Sequence, residues 1–285
     1  MQEARLEIAA LGVRLAGDDS LRQALLIPGM REFLAPDAKA DIEIALDQPL
    51  HMPKCRLLHE FDIADGVVHC RFGTDADGVY YYEFLRCGLL RYDPRVPGRV
   101  ELTPMANPAA LRFALWTAFA MAALPLGAVP VHSSVVVCDG AAVMCLGESG
   151  TGKSTHTRLW LENIPHTHLL NDDSPVVRFA DGEVFVYGSP WSGKTHCYLP
   201  ERHPIAGLLR LEQRPANTIR RLGTVESFAA LQPSCPPSMA KEERCMDLLV
   251  QFISNIIERV PVYRMGCLPD ADAARLSHQT LMPCR

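Results

Sequence analysis

The sequence predicts an α/β protein with a β-rich N-terminal region, and three observations lead to this prediction. Residues 61–72 and 79–82 are rich in apolar, aromatic and β-branched side chains and lie next to Asp-Gly turns, as expected for antiparallel strands. Residues 141–163 combine an apolar strand candidate, a glycine-rich loop and a helical pattern. Residues 239–260 carry apolar side chains at three- and four-residue steps, which is typical of an amphipathic helix.

The first predicted domain covers residues 1–107 and consists mainly of strands and turns. Residues 41–46 alternate between polar and apolar side chains, which indicates a strand buried on one face. Asp65-Gly66 predicts the turn of a hairpin within residues 61–72. The tyrosines at 80–82 are expected to alternate between core and surface, and residues 99–102 give a further strand.

The second predicted domain covers residues 108–285 and mixes strands with helices. Its first helix, at 108–124, is apolar, but it contains Arg112 and ends before Pro125, so we expect a core helix rather than a membrane span. Residues 233–238 predict a rigid surface connection, and Asp270 is expected to cap the last helix. The remaining predicted elements are strands at 131–138 and 141–146, a helix at 154–163, a strand at 168–170, strands at 176–179 and 184–187 around Asp181-Gly182, a strand at 208–211, the helix at 239–260 and a strand at 262–265.

Composition narrows the class of protein. The chain has 285 residues, of which 48% are hydrophobic and 21% charged, and this balance is typical of a globular protein with a sizeable core. The formal net charge of -5 argues against general nucleic-acid binding. None of the 10 cysteines forms a C-x-x-C pair, which removes the signature of zinc ribbons and thioredoxins. We expect reduced, mostly buried thiols in a cytoplasmic protein without a secretory signal or a membrane segment.

Residues 147–155 read GESGTGKST and match the phosphate-binding motif G-x-x-x-x-G-K-[ST] in full. Gly147, Gly150 and Gly152 let the backbone N–H groups face an anion without hindrance from a Cβ atom. Lys153 is suited to neutralise the β- and γ-phosphates of a nucleotide, and the hydroxyl of Ser154 can ligate Mg²⁺. The predicted nucleotide-binding residues are Gly147, Glu148, Ser149, Gly150, Thr151, Gly152, Lys153, Ser154 and Thr155.

An acidic pair and a histidine complete the predicted catalytic group. Asp172 and Asp173 end a short apolar strand, eighteen residues after Ser154. One carboxylate can hold the metal ion and the other can accept the proton of an attacking hydroxyl. A solvated turn is the alternative interpretation of two adjacent carboxylates. His132 lies at the start of the predicted strand at 131–138, and its position gains meaning from the resemblance that follows.

Three segments resemble the catalytic domain of HPr kinase/phosphorylase and related HPr-serine-kinase-like proteins, and more distantly ATP-dependent phosphoenolpyruvate carboxykinase. They are VHSSVVV at 131–137, GESGTGKST at 147–155 and LLNDD at 169–173. The resemblance covers about residues 108–285 and implies a twisted mixed sheet that differs from typical parallel P-loop proteins. It implies that His132 tunes the catalytic aspartate, that Asp173 is the base and that Asp172 holds the metal with Ser154.

A candidate acceptor site follows the acidic strands. Residues 187–196 read YGSPWSGKTH and combine a flexible backbone with hydroxyl groups and one cation, which suits the binding of oxyanions. Trp191 either covers a ligand or is simply buried, and the sequence leaves both open. The sequence lacks the HPr kinase signature itself, and the resemblance implies that the segment 208–215 takes its place, with Glu212 and Arg214 as the comparable residues. The predicted acceptor-site residues are Trp191, Ser192, Gly193, Lys194, Thr195 and Arg214.

Together these patterns predict a kinase that uses ATP and Mg²⁺ and transfers the γ-phosphoryl group to a hydroxyl acceptor. The acceptor is a serine of a protein or peptide, or a small alcohol. A carboxykinase-like or phosphorylase activity is one alternative, and a non-catalytic nucleotide-sensing module is another. We expect neither a nucleic acid nor a membrane as partner, and a homo-oligomer remains open.

Overall fold

The computed structural model describes residues 2–64, 66–180, 182–193 and 195–282. The chain divides into two compact units, one of residues 1–127 and 238–248 and one of residues 128–237 and 249–285. The sequence predicted a domain division at 107/108, and this remains a prediction about domains, whereas the compact units divide at 127/128. The predicted turn residues Asp65 and Asp181 lie outside the described residues.

The first unit is built on an eight-stranded mixed sheet with the strand order β1-β2-β3-β8-β7-β6-β5-β4. The predicted strands at 41–46, 61–72, 79–82 and 99–102 are all present, although their ends differ by a few residues. The elements are β1 (Gln2–Ile8), β2 (Leu11–Gly17), α1 (Asp19–Ala24), β3 (Ile42–Ala45), β4 (Arg56–Ile63), β5 (Val68–Thr74), β6 (Tyr80–Phe84), β7 (Gly88–Tyr92), β8 (Arg99–Leu102) and α2 (Pro108–Ala123).

The tyrosines of β6 differ from the sequence-based expectation. Tyr80, Tyr81 and Tyr82 are 3%, 7% and 2% exposed, so they do not alternate between core and surface. The hydroxyl of Tyr82 contacts the sulfur of Met121 in α2 at 3.8 Å. Both faces of β6 are therefore covered. In a strand that is buried on both faces, successive side chains do not alternate between core and solvent.

Helix α2 is a core helix, as predicted. By length and composition alone, residues Pro108–Leu126 could cross a membrane. However, 67% of the most apolar stretch of 18 residues is buried inside the protein. Asn107 caps the helix, because its side-chain oxygen accepts from the backbone N–H groups of Ala109 and Ala110 at 3.0 Å.

The second unit contains a nine-stranded mixed sheet, which confirms the predicted α/β class in its general form. The order is β12-β10-β11-β15-β14-β13-β9, and β17 pairs with both β15 and β16. The elements are β9 (Ala128–Pro130), β10 (Ser133–Cys138), β11 (Ala141–Leu146), α3 (Lys153–Asn163), β12 (Thr167–Asn171), β13 (Val176–Ala180), β14 (Glu183–Tyr187), β15 (Arg202–Gln213), β16 (Thr218–Arg221), α4 (Thr224–Leu231), α5 (Glu243–Ile257), β17 (Val262–Cys267) and α6 (Ala271–Leu281).

Strand direction gathers the predicted site at one edge of this sheet. β11, β15 and β17 are parallel neighbours, so their carboxyl ends lie at the same edge. β10 runs antiparallel to both β11 and β12. The start of β10 and the ends of β11 and β12 therefore meet at that edge, where the glycine-rich loop and the acidic pair follow.

Helices α3 and α6 pack on the sheet through a core that contains Trp160 of α3 and Leu281 of α6. Inside it, the indole N–H of Trp160 donates to Ser277 Oγ at 2.9 Å, and His156 Nε2 lies 3.0 Å from the same oxygen. Asp270 caps α6 as predicted, because its side chain accepts from the N–H of Ala273 at 2.9 Å. This packing fixes the direction of α3, whose first residues form the site.

Two other expectations need correction. The helix predicted from residue 239 begins at Glu243, and a short 3₁₀ turn at Met239–Lys241 precedes it. The segment 233–238 is not a surface connection, because Ser234, Cys235 and Ser238 are buried. The backbone carbonyl of Ser234 accepts from the N–H of His132 at 2.7 Å, so the segment packs beside the predicted site.

Candidate functional site

The glycine-rich loop connects β11 to α3, as the sequence predicted. Gly147, Gly150 and Gly152 have φ angles of +153°, +81° and +101°, which side chains other than glycine rarely adopt. A Cβ atom on Gly147 would lie 2.3 Å from the hydroxyl oxygen of Thr151. That hydroxyl donates to the carbonyl of Glu148 at 2.8 Å, so the loop is closed on itself and needs glycine at its first position.

Lys153 is the first residue of α3 and is only 8% exposed. Its ammonium donates to the carbonyl oxygens of Gly147 at 2.8 Å and of Glu148 at 3.2 Å. Burial lowers the pKa of Lys153, and the negative charges of Asp173 and Glu148 oppose this shift. The ammonium is therefore held at the mouth of the loop by groups that a bound phosphate could replace.

His132 joins Lys153 to Asp173. Its Nε2 atom lies 3.0 Å from the ammonium nitrogen of Lys153, and its Nδ1 atom lies 3.2 Å from Oδ1 of Asp173. An ammonium has no lone pair, so Nε2 accepts and the proton of a neutral ring is on Nδ1, which donates to the carboxylate. The three side chains form one hydrogen-bonded series from the loop to the acidic pair.

The two aspartates have different surroundings. Asp172 is 8% exposed, and its Oδ1 atom accepts from the hydroxyl of Ser134 at 2.8 Å. The same hydroxyl oxygen lies 3.0 Å from that of Thr157 in α3. Asp173 is more open, with a side chain that is 33% exposed. Asp172 is therefore held rigidly, whereas Asp173 is accessible to a reactant.

The backbone of the acidic pair is fixed independently of its side chains. The side-chain oxygen of Asn171, which is buried, accepts from the N–H groups of Asp173 and Ser174 at 2.9 Å. The carbonyl of Asp173 accepts from the N–H of Ser133 at 3.0 Å. The hydroxyl of Ser189, also buried, donates to the carbonyl of Ser174 at 2.7 Å. Asn171 and Ser189 each lie in a segment that the sequence patterns marked, but those patterns assigned neither residue a role, because that role depends on contacts between separate strands.

Two cavities open on either side of the start of α3, and Thr155 lines both. The larger has a volume of 480 Å³ and is lined by loop residues, by His156 and by the segments after β15 and β17. The smaller has a volume of 330 Å³, and Ser154, Asp172 and Thr195 are among its lining residues. The two predicted metal ligands therefore face one cavity.

Two side chains of β15 support the loop. The carboxylate of Glu148 accepts from the guanidinium of Arg210 at 2.7 Å, and the side-chain amide of Gln213 donates to the carbonyl of Gly150 at 3.0 Å. Both partners lie on β15, which is paired in parallel with the strand that enters the loop. Only the folded sheet brings them close to the loop, so neither residue could be recognised as a loop contact from its sequence position.

The predicted acceptor-site residues are only partly brought together. Gly193 lies against the acidic pair, since a Cβ atom there would be 3.0 Å from the carbonyl oxygen of Asp172. Thr195 lines the smaller cavity, and Ser192 is buried with its hydroxyl donating to the carbonyl of Thr195 at 2.6 Å. Lys194 lies outside the described residues.

Trp191 and Arg214 are placed differently from this group. Trp191 is 2% exposed, which favours the alternative that its ring is a buried structural side chain. Arg214 lines the larger cavity, not the smaller one, and its guanidinium pairs with Glu212 at 3.0 Å. The structure therefore separates Arg214 from Gly193 and Thr195.

Comparison with known proteins gives a distant structural resemblance. No protein-family model matches the chain, and no curated protein matches it. A solved structure of the Hpr(Ser) kinase/phosphatase from Coxiella burnetii is similar over 53% of this chain and 92% of that chain, with 13% sequence identity and a TM-score of 0.30. At this distance the chemistry has to be inferred from the residues of the site itself.

Proposed function

We propose that this protein is a phosphotransferase that uses ATP and Mg²⁺ to phosphorylate a hydroxyl group, on a fold of the HPr kinase type. The observation that carries the proposal is the hydrogen-bonded series Lys153–His132–Asp173, which starts at a complete phosphate-binding motif and ends at an accessible carboxylate. A structural turn needs no such series. Phosphoryl transfer, in contrast, needs a cation that binds the phosphates and a base close to it.

The nucleotide would bind across the start of α3. Its phosphates would accept from the N–H groups of residues 147–153, at the positive end of the helix dipole. Thr151 and Gly152 line the cavity of 480 Å³, which therefore adjoins the phosphate loop. Its volume is within the range of small-ligand pockets, so it would hold the nucleoside. Gln213 and Arg214 line it and offer polar groups to a ribose or base.

The metal ion would lie on the other side of the helix start. Mg²⁺ prefers oxygen ligands and usually keeps several waters, so one hydroxyl and one carboxylate are enough protein ligands. Ser154 and Asp172 supply these groups in the cavity of 330 Å³. The hydroxyl of Ser134 fixes Oδ1 of Asp172 and leaves its other carboxylate oxygen for the ion or its waters.

Asp173 would act as the base. It would accept the proton of the acceptor hydroxyl, whose oxygen forms a bond to the γ-phosphorus while the bond to the bridging oxygen breaks and ADP leaves. His132 would orient the carboxylate through its Nδ1–H group. The acceptor would enter near Gly193 and Thr195, and it is a serine of a protein or peptide, or a small alcohol. In this proposal the protein acts in the cytoplasm, and neither a nucleic acid nor a membrane is its partner.

The first test is a Lys153→Met variant, which keeps the length of the side chain and removes the charge. One charge-assisted hydrogen bond is worth about 1.5–3 kcal/mol, so ATP affinity should fall by roughly 10- to 150-fold. Lys39→Met, which removes an exposed lysine in the other compact unit, is the matched control and should bind ATP like the wild type. Equal ATP binding by both variants would contradict the phosphate-loop interpretation.

The second test searches for the acceptor. Purified protein is incubated with γ-labelled ATP and fractions of a cell lysate, and the label is followed into proteins and small molecules. Label transfer that the Lys153→Met variant loses supports a kinase. ATP binding without any transfer favours the nucleotide-sensing alternative, whereas CO₂ release from oxaloacetate or pyrophosphate formation favours the carboxykinase or phosphorylase alternative.

A further inference from the structure

Two histidines and a glutamate form a cluster that the proposed phosphotransfer does not use. Oε2 of Glu201 lies 3.1 Å from Nε2 of His168 and 3.1 Å from Nε2 of His203. The three ligand atoms lie within 4.8 Å of one another. His168 belongs to β12, Glu201 directly precedes β15, and His203 belongs to β15, so the cluster joins segments that are distant in sequence.

The cluster lies at the edge of the sheet opposite the phosphate loop. His168 pairs with Val137 near the end of β10, whereas Ser133 at the start of β10 pairs with the last residue of β11, directly before the loop. Gly140, in the turn that follows β10, contacts the cluster through its carbonyl oxygen. The cluster is therefore a site separate from the acidic pair.

The hydrogen bonds of His203 leave a ring lone pair directed at a carboxylate. Its Nδ1 atom lies 3.3 Å from the carbonyl oxygen of Gly140, which can only accept, so Nδ1 carries a proton. In a neutral ring Nε2 then presents a lone pair to the carboxylate of Glu201, and two acceptors face each other at 3.1 Å. A metal ion that both atoms bind removes this conflict.

We propose that His168, Glu201 and His203 bind a divalent transition-metal ion of the zinc class. Metal-binding histidines almost always donate their other ring N–H to a carbonyl, carboxylate or water, and the bond from His203 to Gly140 has this form. Bonds of about 2.0–2.1 Å in a tetrahedron place neighbouring ligand atoms about 3.3 Å apart, close to the two observed separations of 3.1 Å. Water completes the fourth position.

The ligand types select the metal. Imidazole nitrogens favour zinc, copper, nickel and cobalt over magnesium and calcium, which prefer oxygen. His168 and Glu201 have side chains that are 46% and 43% exposed, so an ion can enter from solvent. The site thus differs in chemistry from the Mg²⁺ position proposed at Ser154 and Asp172.

The backbone of the cluster is already ordered. His203 pairs with Val186 of β14, and the carbonyl of Glu201 accepts from the N–H of Gly188 at 3.0 Å. His168 lies within the β12–β10 pairing. A bound ion would link the edge strand β12 to the start of β15, so its first effect is on the stability of this edge.

The experiment measures Zn²⁺ binding to the full chain after treatment with a chelator, by titration calorimetry. Co²⁺ is the second probe, because its visible absorption reports four-coordinate binding. His203→Gln and Glu201→Gln should each weaken Zn²⁺ binding by at least about 10-fold, since even indirect changes around a metal site cost about 10- to 100-fold. His51→Gln, which removes an exposed histidine outside the cluster, is the matched control and should bind like the wild type.

A thermal measurement separates loss of the site from loss of the fold. The metal-free variants should melt close to the metal-free wild type, while saturating Zn²⁺ should raise the Tm of the wild type and of His51→Gln by about 5 °C and leave the other two variants unchanged. Zn²⁺ binding weaker than about 1 mM in the wild type, or equal binding by all variants, overturns the proposal.

Discussion

The Asp173→Asn variant tests the proposed chemistry most directly, because the structure allows the base to be removed without moving the chain. The backbone of Asp173 is held by the side chain of Asn171 and by the N–H of Ser133, and neither contact uses the carboxylate. An asparagine oxygen can still accept from Nδ1 of His132. The variant should therefore fold and bind Mg-ATP like the wild type.

The expected loss lies in the transfer step. A positioned general base contributes about 10²- to 10⁴-fold to the rate, which corresponds to about 3–5 kcal/mol of barrier. We expect kcat for phosphoryl transfer to fall by this factor while the Kd for Mg-ATP changes little. The assay combines ATP titration with single-turnover transfer of labelled phosphate to the acceptor found in the lysate screen.

The Asp172→Asn variant should instead change the Mg²⁺ requirement of the reaction. Asp172 is buried beside Ser134 and faces the cavity of Ser154, so loss of its charge should raise the Mg²⁺ concentration needed for half-maximal transfer. Asp139→Asn is the control, because it removes an exposed carboxylate from the β10–β11 turn. Full transfer activity in Asp173→Asn, or an increased Mg²⁺ requirement in that variant alone, would refute the assignment of the two roles.

Three further predictions use other parts of the second unit. Ser134→Ala removes the donor to Asp172 and should raise the Mg²⁺ requirement of transfer by about 3- to 10-fold, with ATP binding unchanged as the check. Burial lowers the pKa of His156 from 6.5 to about 4, so between these pH values the unfolded chain binds a proton that the folded chain does not. The free energy of unfolding should therefore fall by about 3 kcal/mol from pH 6.5 to 4. Urea titrations of the His156→Gln variant should show a pH-dependent decrease that is smaller by this amount. Lys194→Met should lower transfer or raise the KM for the acceptor while ATP affinity stays constant, and unchanged kinetics would remove Lys194 from the site.

Local patterns predicted the elements on which the candidate site is built. The loop lies between β11 and α3 as its motif requires, and Asp270 caps α6, because each depends on residues that are adjacent in sequence. The tyrosines of β6 were placed wrongly, since alternation reveals burial only when one face of a strand meets water. Elements with weak local signals, such as β16 and α4, were missed altogether.

Residues whose role depends on distant pairing could not be predicted. Arg210 and Gln213 reach the loop because β15 pairs in parallel with β11, a contact between segments about sixty residues apart. Their types, one arginine and one glutamine in a strand, carry no signal before that pairing is known. Ser189 is similar, because a buried serine that fixes Ser174 looks in sequence like any other loop serine.

The state of Lys153 links nucleotide binding to the base in the proposed mechanism. Its ammonium now donates to Gly147, Glu148 and His132, so an arriving phosphate must compete with these acceptors. When phosphate accepts from the ammonium, Nε2 of His132 loses its donor. His132 is then held by Asp173 alone, so the arrival of phosphate changes the contacts of the proposed base. The motif supplies the lysine, but only the fold places the histidine between that lysine and the carboxylate.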